Sequence, residues 1–250
     1  MAHKTLIGGT AYEITGGKTL IGGTGYSIKG GKTLIGGTGY DISFVSGTPL
    51  NEIAEGSVVY LNENGSPVEF YVAKHNYESG LNGSGRTLLV RKDCYSNSMQ
   101  WHSSNKNIYA SSTINSWLVN TYKSLLDAKV QTAIGTTRFY YTPGNGDKTV
   151  TTLSRSVFLL SMTEIKQATQ ANTEGTELPI SSTLKIAKFN GSACGQWTRS
   201  PYKNATDKVC RINASGNTGT DYCLFEHGVR PAMTIPEASL FDPDTMQFIA

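Results

Sequence analysis

The residues best suited to covalent or metal chemistry in this sequence are four cysteines. Their positions are 94, 194, 210 and 223, so the gaps between them are 100, 16 and 13 residues. None of these gaps gives the Cys-x-x-Cys spacing that is typical of a zinc or redox site. The sequence therefore favours buried or incidental thiols, predicts no metal site and no cofactor, and leaves open whether any of the cysteines pair.

Three histidines could in principle join serines and acidic residues in a hydrolytic triad: His75, His102 and His227. The Gly-x-Ser-x-Gly turn that exposes a nucleophilic serine in many hydrolases does not occur. His102 follows Trp101 in a predicted turn rich in Ser and Asn, which favours a structural imidazole over a general base. The carboxylates are scattered without an evident catalytic pair, so a glycosidase is not supported. We predict that the chain is not an enzyme.

Gly-Gly pairs near the N-terminus could suggest a phosphate-binding loop. Such a loop needs a helix directly after the glycines, and no helical pattern follows them. They belong instead to three near copies of one 14-residue unit, at Lys4–Ile14, Lys18–Ile28 and Lys32–Ile42. Each copy predicts a strand, a tight Gly-Gly turn and a second strand, and Gly16-Gly17 and Gly30-Gly31 are predicted to turn the chain into the next copy.

Small hairpins bury few side chains, and an isolated hairpin is only marginally stable in water. The copies must therefore stack on one another or on other chains. We expect residues 1–43 to form a stalk that assembles the protein into a homo-oligomer, most simply a trimer. Residues 44–50 are interpreted as a joint, and residues 51–250 as one globular domain.

The pattern of the globular part predicts short strands and two clear helices. Ser57–Leu61 and Val68–Val72 are predicted to pair around a turn at Asn62–Gly65, with Arg86–Val90 as a third strand. Apolar residues recur at helical spacing from Ile114 to Leu126, with Trp117 in the buried stripe and Ser111 or Ser112 as the N-cap. Asp127 is predicted to cap a shorter helix that ends at Gly135.

Further along, Val157–Leu160 is apolar throughout, as a buried strand would be. Ser161 and Glu164 have the spacing of a capping box, which predicts a third helix directly after that strand. The likeliest later strands are Leu184–Phe189, Lys208–Ile212 and Val229–Met233. The fold class predicted is α+β with mainly antiparallel strands.

Composition excludes two classes of partner. A net charge of +3 over 250 residues, without a dense Lys/Arg cluster, is too slight for nucleic-acid binding. No apolar run approaches the ~18 residues that a membrane span requires, and Met1–Thr10 does not resemble a signal peptide, so we expect synthesis in a cytoplasm and no membrane insertion.

Three motifs occur in an informative order: Gln100-Trp-His-Ser-Ser-Asn105, Gln196-Trp-Thr-Arg-Ser-Pro201 and Gly228-Val-Arg-Pro-Ala232. Together with the repeats, they resemble tail-associated proteins of bacteriophages and prophages. The C-terminal part is in turn similar to C-type-lectin-like domains, such as those of formylglycine-generating enzymes and of variable proteins diversified by retroelements. The resemblance implies a C-type-lectin-like domain, a location in the virion tail and contact with other phage tail proteins.

This resemblance also implies a receptor-binding role, with a host cell-surface glycan or protein as the ligand. The segment from Tyr202 to Phe225 is rich in polar and aromatic residues, as antibody paratopes are, and in the variable proteins such a segment is diversified by the retroelement. The predicted ligand-contacting residues are Tyr202, Asn204, Asp207, Asn213, Asn217, Asp221, Tyr222, Leu224 and Phe225. We expect Trp197, Arg199 and Arg230 to support them structurally, because a guanidinium can hold several backbone carbonyls.

Departures from the family pattern bear on three points. A second Trp and a Leu are expected around the tryptophan motif, where this chain has Gln196 and Thr198, and these two positions are interpreted as the edge of the variable surface. The Glu-Pro-Asn and Trp-Asn-Asp motifs of calcium-dependent lectins do not occur, so calcium is not predicted. The resemblance also admits an enzymatic alternative, an oxidase of the formylglycine-generating type, which needs two cysteines near the end of the domain. Only Cys210 and Cys223 are available there, and both lie in a predicted surface strand or loop. A structural tail-fibre role without receptor contact also stays open.

Overall fold

The computed structural model describes residues 47–165 and 168–250 and, in the preceding part of the chain, the backbone of six strands. The chain divides into two compact units, Met1–Gly47 and Thr48–Ala250. No helix in the described part of the chain is long and apolar enough to cross a membrane.

The first unit contains three antiparallel hairpins, one in each copy of the repeat. Their strands are β1 (Lys4–Ile7), β2 (Thr10–Glu13), β3 (Gly17–Ile21), β4 (Thr24–Ile28), β5 (Gly30–Ile35) and β6 (Thr38–Ser43). Gly17, Gly30 and Gly31 lie within strands and pair with a neighbouring strand, so their prediction as turn residues is wrong. The Gly-Gly pairs predicted as the tight turns, and Gly16, lie outside the described residues.

A five-stranded antiparallel sheet forms the centre of the second unit. Its spatial order is β14 (Val157–Phe158), β21 (Ala232–Pro236), β10 (Arg86–Arg91), β9 (Ser66–Lys74) and β8 (Val58–Glu63). The predicted hairpin is confirmed, but its turn is shorter than expected. Only Asn64 and Gly65 connect β8 to β9, and both have positive φ angles, of 52° and 76°. Two such residues suit the tight hairpin turn that matches the twist of the strands.

The predicted long helix is confirmed and packs against the core. It consists of α2 (Thr113–Trp117), a π-helical segment (Leu118–Tyr122) and α3 (Lys123–Leu125). The Ser112 side chain accepts a hydrogen bond from the Asn115 amide, as expected of an N-cap. Ile114, Leu118 and Tyr122 are fully buried. Trp117 is only partly buried, so its prediction as a core residue is wrong.

The remaining helices are short. They are α1 (Ser79–Asn82), α4 (Ala128–Ala133) and α5 (Ser181–Leu184), with 3-10 turns at Leu50–Glu52, Tyr109–Ser111 and Ala168–Gln170. The Asp127 side chain accepts from the Asn62 amide group instead of capping α4. That helix also ends two residues before the predicted Gly135.

A second five-stranded sheet carries the later motifs. Its order is β11 (Ser96–Gln100), β20 (Glu226–Val229), β17 (Gln196–Pro201), β18 (Lys208–Ile212) and β19 (Thr218–Tyr222). β17 and β20 run parallel, and the other neighbours run antiparallel. Three two-stranded pairs complete the unit: β12 (Thr137–Tyr141) with β13 (Thr151–Arg155), β15 (Ala187–Phe189) with β16 (Ser192–Cys194), and β7 (Thr48–Pro49) with β22 (Leu240–Phe241). The described chain is thus an α+β structure rich in strands.

Three sequence-based predictions are wrong for identifiable reasons. Ser161 and Glu164 do form the reciprocal bonds of a capping box, but Met162–Ile165 is a turn in place of the start of a helix, and the Glu164 carboxylate is also held by Arg199 from β17. Val229–Met233 is interrupted at Arg230-Pro231, where the chain leaves one five-stranded sheet and enters the other. Leu184 ends α5, so only Ala187–Phe189 of its predicted strand is extended.

Candidate functional site

Strand β17 is the anchor of the candidate site, because it contains the Trp-Thr-Arg-Ser-Pro motif and is buried along its whole length. Its register against β18 shifts between Trp197 and Pro201, which leaves the intervening residues in a bulge. A bulge turns side chains away from the regular ladder. Thr198 donates to the Cys210 carbonyl, and Ser200 accepts from the Met162 amide. The motif therefore joins β18 to the turn after β14.

Arg199 lies at the centre of this bulge with no exposed surface. Its guanidinium donates to both oxygens of Glu164, over 2.8 and 3.0 Å, and to the carbonyls of Tyr140 and Leu159. The guanidinium carbon also lies 4.7 Å from the centre of the Phe139 ring. One side chain thus holds three separate segments to the motif strand.

A second buried carboxylate lies in the same cluster. Glu174 accepts hydrogen bonds from the Ser200 hydroxyl and from the Thr142 amide. Burial raises the pKa of Glu174 above its ordinary value, although Arg199 and these two donors act in the opposite direction. The protonated form of this side chain is consequently favoured by folding.

We predict that Glu174→Gln changes the pH dependence of stability. Because the pKa of Glu174 is raised in the folded state, its contribution to the free energy of unfolding is fully present below its pKa in the unfolded chain, about 4.3. This contribution is lost as the pH rises through the pKa of the folded state. The variant, which cannot ionise here, should therefore gain stability relative to the parent from pH 4 upwards. Urea unfolding across this range measures the difference. Glu52→Gln, at an exposed carboxylate, is the control, and parallel profiles of Glu174→Gln and parent would contradict the prediction.

Arg230 anchors the crossing between the two five-stranded sheets. It is almost fully buried and donates to the Arg91 carbonyl over 2.7 Å and to the Leu184 carbonyl over 2.8 Å. Its remaining nitrogen, Nη2, has no hydrogen-bond partner among the described residues. Burial lowers the pKa of Arg230, and no carboxylate of the described chain pairs with it as Glu164 pairs with Arg199.

Two tryptophan side chains connect β17 with β11 and with the residue that follows β11. The Trp197 indole donates to the Met99 carbonyl over 2.8 Å and meets the His227 ring edge-on at 4.6 Å. The Trp101 indole donates to the Thr198 carbonyl over 2.9 Å. Both rings are buried. Gln196 and Thr198 are buried as well, so their interpretation as the edge of a variable surface is wrong: their side chains bond the carbonyls of Leu184, Lys185 and Cys210.

The predicted ligand residues lie at two different ends of the second sheet. The loop after β17 and the turn after β19 meet at the end where β18 begins, because Lys208 pairs with Tyr222. The loop between β18 and β19 lies at the opposite end, a strand of five residues or about 13 Å away. The end that we call the tip holds Tyr202, Asn204, Asp207, Asp221, Tyr222, Leu224 and Phe225. Asn213 and Asn217 are not part of it.

An exposed aromatic patch occupies the tip. Tyr222, Leu224 and Phe225 have 39%, 40% and 53% of their surface exposed. The rings of Tyr222 and Phe225 meet edge-to-face at 5.6 Å, and the Lys208 ammonium lies 4.6 Å from the centre of the Tyr222 ring. Asn204, also exposed, lies in the neighbouring loop. We call Lys208, Tyr222, Leu224 and Phe225 the tip patch.

The turn under this patch is well anchored. Cys223 is buried, its amide donates to the Asp207 carbonyl, and its own carbonyl accepts from the amides of Trp101 and His102. Buried Asn107 donates to the carbonyls of Ala205 and Lys208 over 2.8 and 2.9 Å. Sequence reasoning missed Asn107, because nothing in its neighbourhood separates it from the other polar residues of that segment. The loops of the tip are therefore held by buried groups, while the side chains of Tyr222, Leu224 and Phe225 are exposed.

Two of the predicted ligand residues have structural partners. Asp221 forms an ion pair with Arg211 at 3.3 Å and a hydrogen bond with His227 at 2.9 Å. Burial nevertheless lowers the pKa of His227. The Asn213 side chain accepts from the amides of Ser215 and Asn217 and so closes its own turn. Tyr202 packs against the core.

The residues considered for catalysis lack a suitable environment in the described chain. Cys210 and Cys223 are fully buried, contrary to the prediction of a surface strand or loop, and burial raises the pKa of each thiol to about 12. His75 is bonded to Thr87 and to the Ile53 carbonyl, and His102 lies among Ser104 and Thr113. Among the described residues, no three His, Cys, Asp or Glu side chains are grouped to hold a metal ion.

Comparison with known proteins gives one family. A family model described as a domain of unknown function (DUF6273) matches residues 84–237, which is more than half of the chain. The chain belongs to the DUF6273 family. The DUF6273 match extends from the start of β10 to the end of β21 and includes the three motifs and the tip. No curated protein and no solved structure matches the chain.

Proposed function

We propose that this DUF6273 protein is a non-enzymatic receptor-binding protein of a phage tail, which attaches to a host cell-surface ligand through the tip patch. The observation that carries the proposal is the contrast between the patch and its support. Three large apolar side chains within four residues of the chain are exposed, while the turn that presents them is fixed by buried hydrogen bonds. Exposed aromatic residues on a rigid frame are typical of protein recognition surfaces.

The chemistry of the tip patch suits either a glycan or a protein as the ligand. Aromatic rings bind the apolar faces of sugars as well as apolar side chains, and Asn204 and Lys208 can bond hydroxyl or carbonyl oxygens. No cofactor or metal takes part in the proposed binding. The finer fold assignment, a C-type-lectin-like domain, rests on the order of the three motifs and stays part of the proposal. An experimental structure compared with such domains tests it.

We predict that Phe225→Ala weakens binding to the host cell about 30-fold, because a central aromatic residue contributes roughly 2 kcal/mol. Its unfolding free energy should change by no more than about 0.5 kcal/mol, since the side chain has few buried contacts. Labelled full-length protein is titrated onto intact cells of a panel of bacterial isolates. Pre-treatment of the cells with periodate or with protease then separates a glycan from a protein ligand.

The matched control is Val150→Ala, which removes an exposed apolar side chain, 37% accessible, outside the Tyr202–Phe225 segment. It should bind like the parent. If Tyr222→Ala and Phe225→Ala also bind like the parent, while deletion of residues 1–43 abolishes attachment, the tip patch is not the binding surface. The structural tail-fibre alternative would then be favoured.

The repeats have a separate part in the proposal. The three hairpins are small, and an isolated hairpin is only marginally stable in water, so we propose that they associate between chains, with residues 1–43 as a stalk and the full-length protein as a trimer. We predict that light scattering gives three times the chain mass of 27.0 kDa. A monomer at micromolar concentration, with a stability unaffected by deletion of the repeats, would contradict the stalk.

A retroelement that diversified the segment Tyr202–Phe225 would have to leave unchanged the residues whose intramolecular contacts hold this segment in place. Asn204, Tyr222, Leu224 and Phe225 are exposed, whereas Asp221 and Asn213 have intramolecular partners. Sequencing the locus from several isolates tests this part of the proposal. Substitutions should concentrate at the exposed tip positions, and an even spread over the surface would argue against diversification.

A further inference from the structure

Two cysteines that are 100 positions apart in the chain come together in the fold. Cys94 follows β10, and Cys194 is the last residue of β16. Their sulfur atoms are 3.4 Å apart, both as free thiols. The backbone fixes this approach: the Cys94 amide donates to the Lys188 carbonyl in β15, and Cys194 pairs with Ala187 in the same strand.

The two sulfurs lie beside a glycine and near a buried cation. Gly228 lies against both, and a Cβ atom at this position would be 2.6 Å from the Cys94 sulfur and 3.3 Å from the Cys194 sulfur. A larger residue at position 228 would therefore displace the Cys94 sulfur. The buried Arg230 guanidinium, with its unpartnered Nη2, acts on both sulfurs as a positive charge. A nearby cation favours the thiolate, which is the reactive form of cysteine.

The two thiols differ in access and in acidity. Cys94 is buried and Cys194 is partly exposed, so a dissolved reagent reaches Cys194 first. The contact with Cys94 lowers the pKa of the Cys194 thiol, whereas the contact with Cys194, together with burial, raises the pKa of Cys94. This division matches that of an attacking and a resolving cysteine in thiol–disulfide exchange.

We propose that Cys94 and Cys194 form a reversible disulfide, with a small-molecule disulfide as the oxidant. The Cys194 thiolate attacks one sulfur of the reagent, its S–S bond breaks, and the departing thiolate takes a proton from water. Cys94 then loses its proton to the solvent and attacks the Cys194 sulfur, which expels the second small thiol. The protein loses two electrons, and the reagent is reduced to two thiols.

The bond would join two segments that are far apart in the chain. Cys94 lies in the connection from β10 of the first five-stranded sheet to β11 of the second, and Cys194 lies two residues before β17 of the second sheet. Closing a loop of about 100 residues restricts the unfolded chain strongly, so oxidation should raise the melting temperature by roughly 9–19 °C. This inference does not depend on the proposed receptor-binding role.

To test the proposal, the full-length protein is equilibrated with oxidised glutathione and the reaction is quenched with acid. The protein is then denatured, and the remaining thiols are alkylated. Intact mass should show two alkylated cysteines instead of four, peptide mapping should join the peptides of Cys94 and Cys194, and dithiothreitol should reverse both results. Four alkylated cysteines, a glutathione adduct that never resolves, or a link between Cys210 and Cys223 would overturn the proposal.

Two variants sharpen the result. Cys94→Ser should stop at the mixed disulfide between glutathione and Cys194, because the resolving thiol is absent, and should show no rise in melting temperature from a cross-link. The double variant Cys210→Ser and Cys223→Ser should still form the bond. Loss of the bond in the double variant, while it remains folded, would mean that the reactive pair has been assigned incorrectly.

Discussion

Replacing Arg199 with methionine is expected to lower the free energy of unfolding by roughly 3–5 kcal/mol, because it leaves Glu164 as a buried carboxylate without its cation. The ion pair is fully buried on both sides. The substitution also removes donors from the Tyr140 and Leu159 carbonyls. Urea unfolding of the full-length protein measures the loss, and the melting temperature should fall by roughly 6–20 °C.

Comparison with an exposed ion pair shows how much of the loss depends on burial of the charges. Lys92 and Glu69 form an ion pair of similar length, 2.9 Å, but their side chains are 33% and 38% exposed. Lys92→Met should therefore cost no more than about 1 kcal/mol. Adding Glu164→Gln to Arg199→Met should recover part of the loss, since the buried charge is then removed. A loss below 1 kcal/mol for Arg199→Met alone would show that the cluster does not hold the motif strand.

Local patterns predicted the elements whose signals lie within a few residues. The β8–β9 hairpin, the helix capped by Ser112 and the strand Lys208–Ile212 were all predicted from alternation, helical spacing or a cap. In these segments the local preference and the tertiary packing agree, which is the usual condition for a correct sequence-based prediction.

Long-range contacts decided the segments that were predicted incorrectly. The capping box of Ser161 and Glu164 normally begins a helix, yet here the carboxylate also meets Arg199, 35 residues later in the chain. The candidate site shows the same limit. The segment from Tyr202 to Phe225 is continuous in sequence, but β18 carries Asn213 and Asn217 away from the tip. No periodicity within the segment could indicate this separation, because it depends on how the strands pair.

Local sequence patterns also failed to predict which tryptophans are buried. Trp117 lies in a helical stripe and was predicted to be core, but it is only partly buried against the rings of Tyr95 and Tyr122. Trp101 lies in a predicted turn rich in Ser and Asn, where no local pattern indicates a core position, and it is fully buried. Its burial comes from β17, since the indole donates to the Thr198 carbonyl nearly one hundred residues later.

We therefore predict that Trp101→Ala lowers the free energy of unfolding by roughly 3–5 kcal/mol, as expected when a buried aromatic ring is replaced by a cavity. Trp117→Ala should cost less than Trp101→Ala, because Trp117 is only partly buried and part of its surface stays in contact with water in the folded state. Trp101→Phe should fall between them, since it keeps most of the packing but leaves the Thr198 carbonyl without its donor. All three variants are compared by urea unfolding with a probe other than tryptophan fluorescence, such as circular dichroism. Equal losses for Trp101→Ala and Trp117→Ala would contradict the placement of Trp101 as a fully buried ring beside β17.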